Sequence, residues 1–108
     1  LSNFTDYKAH IGQDLQKLYK TTLFQGKQLM LGMNCLEPGQ IQKVHTHADQ
    51  DKFYYVIEGV GRFTVDGLTR SLAAGSVVWA PAGIAHGVES AGPERLVLLV
   101  GMAPAPPQ

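Results

Sequence analysis

Glycine interrupts this chain too often for long helices to form. It recurs at Gly26, Gly32, Gly39, Gly59, Gly61, Gly67, Gly75, Gly83, Gly87 and Gly92. An interior glycine weakens a helix by about 1 kcal/mol relative to alanine. The pieces between glycines are about 5 to 8 residues long and rich in β-branched, aromatic and large aliphatic side chains, the pattern of an all-β barrel or sandwich. Strands are expected at 18–24, 28–36, 40–46, 53–58, 61–65, 68–72, 76–79, 86–89 and 95–101. Asp66-Gly67 reads as a two-residue hairpin turn, because both residues tolerate positive φ. Glu37-Pro38-Gly39 reads as another tight turn, with proline presetting φ and glycine taking the strained position. Only 3–8 and 12–18 offer helix, a turn or two at most.

A chain of 108 residues has room for one core, so a single domain is expected over 1–102, followed by a proline-rich tail at 103–108. The tail lacks the N–H donors to join a sheet and should hang free or lie along the surface. Nine basic side chains balance nine acidic ones, and no basic run exists. That excludes a field suited to nucleic acid or anionic lipid. No apolar run reaches membrane-spanning length. The single cysteine, Cys35, fits a reducing compartment, the cytoplasm, and is expected to pack as a small apolar residue.

Two strands carry apolar residues on both faces: Phe53-Tyr54-Tyr55-Val56-Ile57 and Leu96-Val97-Leu98-Leu99-Val100. One face fills a barrel, so the other needs a cover. A homodimer is the expected assembly.

Chemistry concentrates in three histidines. His45 and His47 are two apart, so on an extended strand both rings leave by the same face. His86, from a distant strand, could complete a facial set around one transition ion and leave positions open for water or substrate. His10 has no comparable setting and is treated as an ordinary surface histidine.

The surroundings of these histidines resemble the two motifs of the cupin superfamily. The first motif, G-x5-H-x-H followed by a carboxylate and a glycine, runs here Gly39, His45-Thr46-His47, Lys52, Gly59. The second, G-x5-P-x-G-x2-H-x3-N, runs Gly75, Pro81-Ala82-Gly83, His86, Ser90. The resemblance covers about half of the chain, and two motifs matched in order are specific for fold. It implies a double-stranded β-helix, or jelly-roll barrel, of the small RmlC-like kind, with both motifs on neighbouring inner strands. It also implies that His45, His47 and His86 are ligands to a divalent transition metal such as Fe, Zn, Ni or Mn. The fourth family ligand, a glutamate, falls on Lys52, and the family asparagine falls on Ser90.

Lys52 changes the electrostatics of such a site. An ammonium about 4 Å from a dication costs on the order of 8 kcal/mol at an effective dielectric near 20. Three arrangements relieve it. Lys52 can be held neutral by burial; it can turn away to Asp49, Asp51 or Glu58; or the metal is absent and Lys52 and the histidines receive an anion. A substitute fourth ligand could come from Asp49, Gln50 or Asp51, although Asp51 points to the opposite face of a regular strand.

The expected function is a small metal-binding cupin enzyme, dioxygenase- or isomerase-like, acting on a small molecule with Lys52 as proton donor or anion clamp. The alternative is a non-catalytic ligand-binding or accessory module, with or without metal. A metal-free, epimerase-like barrel using a histidine base is weaker, since no His–Asp pair is assignable.

Overall fold

The computed structural model describes residues 2–107. It contains nine strands among the described residues: β1 Tyr19–Gln25, β2 Met30–Leu36, β3 Ile41–His45, β4 Asp51–Glu58, β5 Val60–Val65, β6 Leu68–Ala73, β7 Val77–Ala80, β8 His86–Ser90 and β9 Leu96–Ala103. Each coincides, within a few residues at its ends, with a stretch expected from the sequence. They form a five-stranded sheet, order β1-β2-β9-β4-β7, facing a four-stranded sheet, order β3-β8-β5-β6. Every pairing is antiparallel. This is the expected all-β jelly roll.

Local chemistry closes the hairpins. Asp66 and Gly67 both take positive φ, 51° and 79°, and Val65 pairs with Leu68 across them, as a type I′ turn requires. The Gln40 N–H donates to the Glu37 carbonyl at 2.9 Å, closing the turn at Pro38-Gly39. The N-terminal segment holds one short 3-10 turn, Tyr7–His10, begun by the Asp6 side chain accepting from the Lys8 N–H. Residues 12–18 form no helix, as Gly12 and the short length favour.

Alternation along the strands sorts side chains between two layers. Inside the barrel, Tyr54, Val56, Phe63, Val88, Leu96, Leu98, Val100 and Met102 form the main core. Outside the five-stranded sheet, Met33, Cys35 and Val97 are buried under Tyr7, Ile11, Tyr19, Leu23 and Ile57. The N-terminal segment therefore covers part of the face that the sequence assigned to a partner subunit. Tyr7 fastens it, its hydroxyl donating to Glu58 Oε2 at 3.0 Å. Glu58 thus has a partner, and it lies 3.6 Å from Arg95 as well. Cys35 is a core residue, and burial raises its thiol pKa, so it behaves as the inert apolar side chain expected.

Strand β9 continues to Ala103, which pairs with Asp51, one residue into the expected tail. Beyond it the chain lies along the surface, with the Pro104 and Pro106 carbonyls accepting from Gln50 and Gln25; Gln108 lies outside the described residues. None of the described helices is long and apolar enough to cross a membrane.

Candidate functional site

The two histidine-bearing segments meet side by side. In the register of β3 and β8, His45 is the Cα partner of His86. The register slips between Gln42 and His45, a bulge that turns both of these side chains toward the interior although they are three residues apart. Gly87 makes room for it. A Cβ built there would lie 2.8 Å from the Gln42 carbonyl oxygen and 2.8 Å from the Val44 nitrogen, so any side chain at this position would push the bulge away.

His47 reaches the group by a different route from the one expected. Strand β3 ends at His45, and His47 lies in the loop beyond it. The Gly83 N–H holds this loop by donating to the His47 carbonyl at 2.8 Å. Gly83 has φ 80° and sits in a turn closed by the Ile84 N–H and the Pro81 carbonyl at 3.1 Å. The same turn takes the Asp51 carboxylate, which accepts from the Ala82 N–H at 2.9 Å. The second motif thus clamps the first.

One ring nitrogen from each of His45, His47 and His86 lies within 4.8 Å of the others. His45 Nδ1 lies 2.7 Å from the Lys43 carbonyl, and His86 Nδ1 lies 2.9 Å from the Ile84 carbonyl. A carbonyl only accepts, so in the neutral form of each ring the proton sits on Nδ1 and Nε2 carries the lone pair. His45 Nε2 faces His47 Nε2 at 3.0 Å. His86 is 1% exposed, and its Nε2 is buried without a hydrogen-bond partner. Burial is the main cause that lowers the His47 pKa, to about 4, and that of His86. Both are neutral at pH 7, the protonation state that metal ligation needs.

No carboxylate joins the cluster among the described residues. Asp51 is occupied with Ala82 on the face opposite Lys52, and the Gln50 amide donates to Pro104. Neither is placed as the substitute ligand that the sequence allowed. His10 stands apart, its Nε2 2.6 Å from the Thr5 hydroxyl on the surface.

Lys52 points inward, as the alternation of β4 dictates, and is 4% exposed. It does not turn to Asp49, Asp51 or Glu58. Its Nζ lies 3.4 Å from Gln42 Oε1, an oxygen also taken by a short hydrogen bond from the Tyr54 hydroxyl, and 4.6 Å from the centre of the Tyr54 ring. Burial, with help from the charge of Lys20, lowers its pKa to about 8. Burial also raises that of Tyr54, so the phenol stays a donor. Ser90, at the family asparagine position, is buried with its hydroxyl unpartnered. Sequence reasoning gave Gln42 and Gly87 no part in the site, and it read Tyr54 first as a core or interface residue of the apolar run 53–57. Only Gly87 left a signal, a glycine inside a strand pattern directly after a candidate ligand.

A closed antiparallel jelly roll with an imidazole cluster on its inner wall defines a cupin. The chain belongs to that family: the family model for the cupin domain matches residues 32–102. A crystal structure of TT1209 from Thermus thermophilus superposes with a TM-score of 0.92 at 36% identity, covering 97% of this chain and 100% of that one. An uncharacterized protein of Streptomyces coelicolor is 35% identical over 78 residues, 72% of this chain and 73% of its own length. Dimethylsulfoniopropionate lyase DddW of Ruegeria pomeroyi is 34% identical over 79 residues, 73% of this chain. The matched region spans about half the length of that lyase, 51%.

Proposed function

We propose that this chain is a metal-dependent cupin enzyme acting on a small molecule. In this assignment His45, His47 and His86 hold one divalent transition ion, Fe, Zn, Ni or Mn, and Lys52 serves as acid or anion clamp beside it. The observation that carries the assignment is the buried, unpartnered Nε2 of His86, next to a second imidazole whose proton is also pinned on Nδ1. Buried polar atoms without partners are few in folded proteins, and a convergent set of imidazole lone pairs suits a transition ion.

The chain's own groups divide the work. The Lys43 and Ile84 carbonyls orient two rings and raise their basicity. Gln42 and Tyr54 position Lys52. A bound divalent ion would supply Lewis acidity toward a substrate carbonyl or enolate, which fits dioxygenase- or isomerase-type chemistry. The similarity to a lyase supports an enzyme over a passive module. A homodimer in the cytoplasm is part of the same proposal, supported by the apolar outer face of β4 and β7 and by the lone buried thiol.

Elemental analysis of protein purified without an affinity tag tests the assignment. About one transition ion per chain is expected, and His45→Ala should lose it while the far-ultraviolet circular dichroism stays unchanged. Protein that takes up none of the four metals on incubation would refute it. Lys52→Glu restores the family carboxylate and should slow metal loss to a chelator by about tenfold.

A further inference from the structure

Among the described residues Lys52 is a buried cation without a counter-ion. Among the described residues the ion pairs are Arg62 with Glu89 and Arg95 with Glu58, and the nearest carboxylate in sequence, Asp51, faces away and serves Ala82. The one hydrogen bond of Lys52 is long, and its acceptor, Gln42 Oε1, is already engaged by Tyr54. An ammonium has three donors, so most of its hydrogen-bonding capacity is unspent. Buried charges are normally paired, because desolvation otherwise outweighs what the fold gains.

Lys52 opens instead onto a cavity of roughly 390 Å³ between β1, β2 and the inner wall of β4. Its polar lining is Lys20, Thr21, Thr22, Asn34, Gln42 and Lys52, with no carboxylate. Asn34 is 5% exposed, and its amide has no hydrogen bond within the chain among the described residues. Met30 and Met102 contribute an apolar flank. Two ammonium groups, that of Lys52 buried and that of Lys20 exposed, two side-chain amides and the Thr22 hydroxyl therefore line a space with no carboxylate to repel an anion. The Tyr54 ring centre lies 4.6 Å from Lys52 Nζ and 6.3 Å from the centre of the His86 ring, so the Lys52 wall of the cavity and the histidine cluster are neighbours in the barrel.

We propose that Lys52, Lys20 and Asn34 form a receptor for the carboxylate of a small organic acid, lodged in this cavity beside the histidine cluster. As an assignment of substrate class it rests on the reading of the barrel interior as the active site. A carboxylate fits better than a phosphate. One buried ammonium matches one negative charge, whereas phosphate sites draw on a guanidinium fork or a run of backbone N–H groups, neither of which lines this cavity. The apolar flank suits a short carbon chain.

Calorimetry and thermal unfolding with acetate, malonate, succinate and inorganic phosphate, at pH 7 and fixed ionic strength, test the proposal. The wild type and His45→Ala are run in parallel, so that metal binding and anion binding are read separately. At least one carboxylate should bind saturably and raise Tm in both proteins. Lys52→Met should weaken that binding by more than about tenfold and Lys20→Gln by about threefold. Lys52→Met removes a buried charge, so it should fold at least as stably as the wild type and remain informative. Absence of carboxylate binding, binding unchanged in Lys52→Met, or binding of phosphate alone would overturn the proposal. Carboxylate binding lost in His45→Ala would overturn it too, by assigning the anion to the histidine cluster. Lys52-dependent binding in a protein that takes up no metal would uphold the receptor and refute only the metal assignment.

Discussion

Strand β4 presents two faces of different character: the inner one buries a lysine beside core residues, and the outer one is largely aromatic and aliphatic. Its inner face carries Lys52 and Tyr54, with the lysine charge buried. Its outer face carries Phe53, Tyr55 and Ile57. Ile57 packs against the outer cluster that also takes Tyr7 and Ile11, and the Phe53 ring lies over Gly101, in the space a Cβ there would need. Toward the β7 edge the cover stops, leaving Trp79 57% and Val77 66% exposed. Burial alone therefore does not mark function on this strand. The face that carries the proposed site is the one where burying Lys52 costs free energy, and the apolar face is shaped for packing.

The contrast can be broken from either side. The largest effect should come from the inner wall at Gly87→Ala, where the new methyl meets the β3 backbone rather than a flexible side chain. A loss of about 2–3 kcal/mol in urea unfolding is expected, together with weaker metal retention because His45 moves with the bulge. Unchanged stability would show that β3 can shift at no cost.

Lys52 should give a smaller, pH-dependent effect. Its folded-state pKa, about 8, lies below the ordinary lysine value near 10.4. Between those values the unfolded chain holds a proton that the folded chain has released. Stability should therefore rise by about 2 kcal/mol from pH 8 to 10, before tyrosine ionisation opposes it. Lys52→Met should flatten that rise and gain about 1–3 kcal/mol at pH 7, as removal of an unpaired buried charge predicts. A slope that persists in the variant would assign it to another group.

The smallest change in chain stability is expected on the outer face. Trp79→Ser removes an exposed ring and should alter monomer stability by about 0.5 kcal/mol or less, yet it should convert the proposed dimer to monomer in light scattering. A wild type that is monomeric at high concentration would remove the dimer from consideration.

Much of the framework is legible in the residues. Turn chemistry at Asp66-Gly67 and Pro38-Gly39 and the glycine spacing locate nine strands. Parity along β4 places Lys52 inside and Asp51 outside. The histidine cluster is less transparent. Strand alternation suggested that His45 and His47 share a face of one strand, but the strand ends at His45. A backbone hydrogen bond from Gly83 sets His47, and sequence spacing carries no trace of that bond. The N-terminal segment is similar: its apolar Tyr7 and Ile11 are visible in sequence, but not the sheet face they cover.

The strand pattern, the turns and the identity of the groups that can ligate or carry charge follow from the residues alone, because these depend on side-chain type and on periodicity along one strand. Folding brings His86 to His45 across a bulge made possible by Gly87 and leaves Lys52 with no carboxylate partner among the described residues. Register between distant strands and the absence of a counter-ion are properties of three-dimensional proximity, which local spacing does not encode.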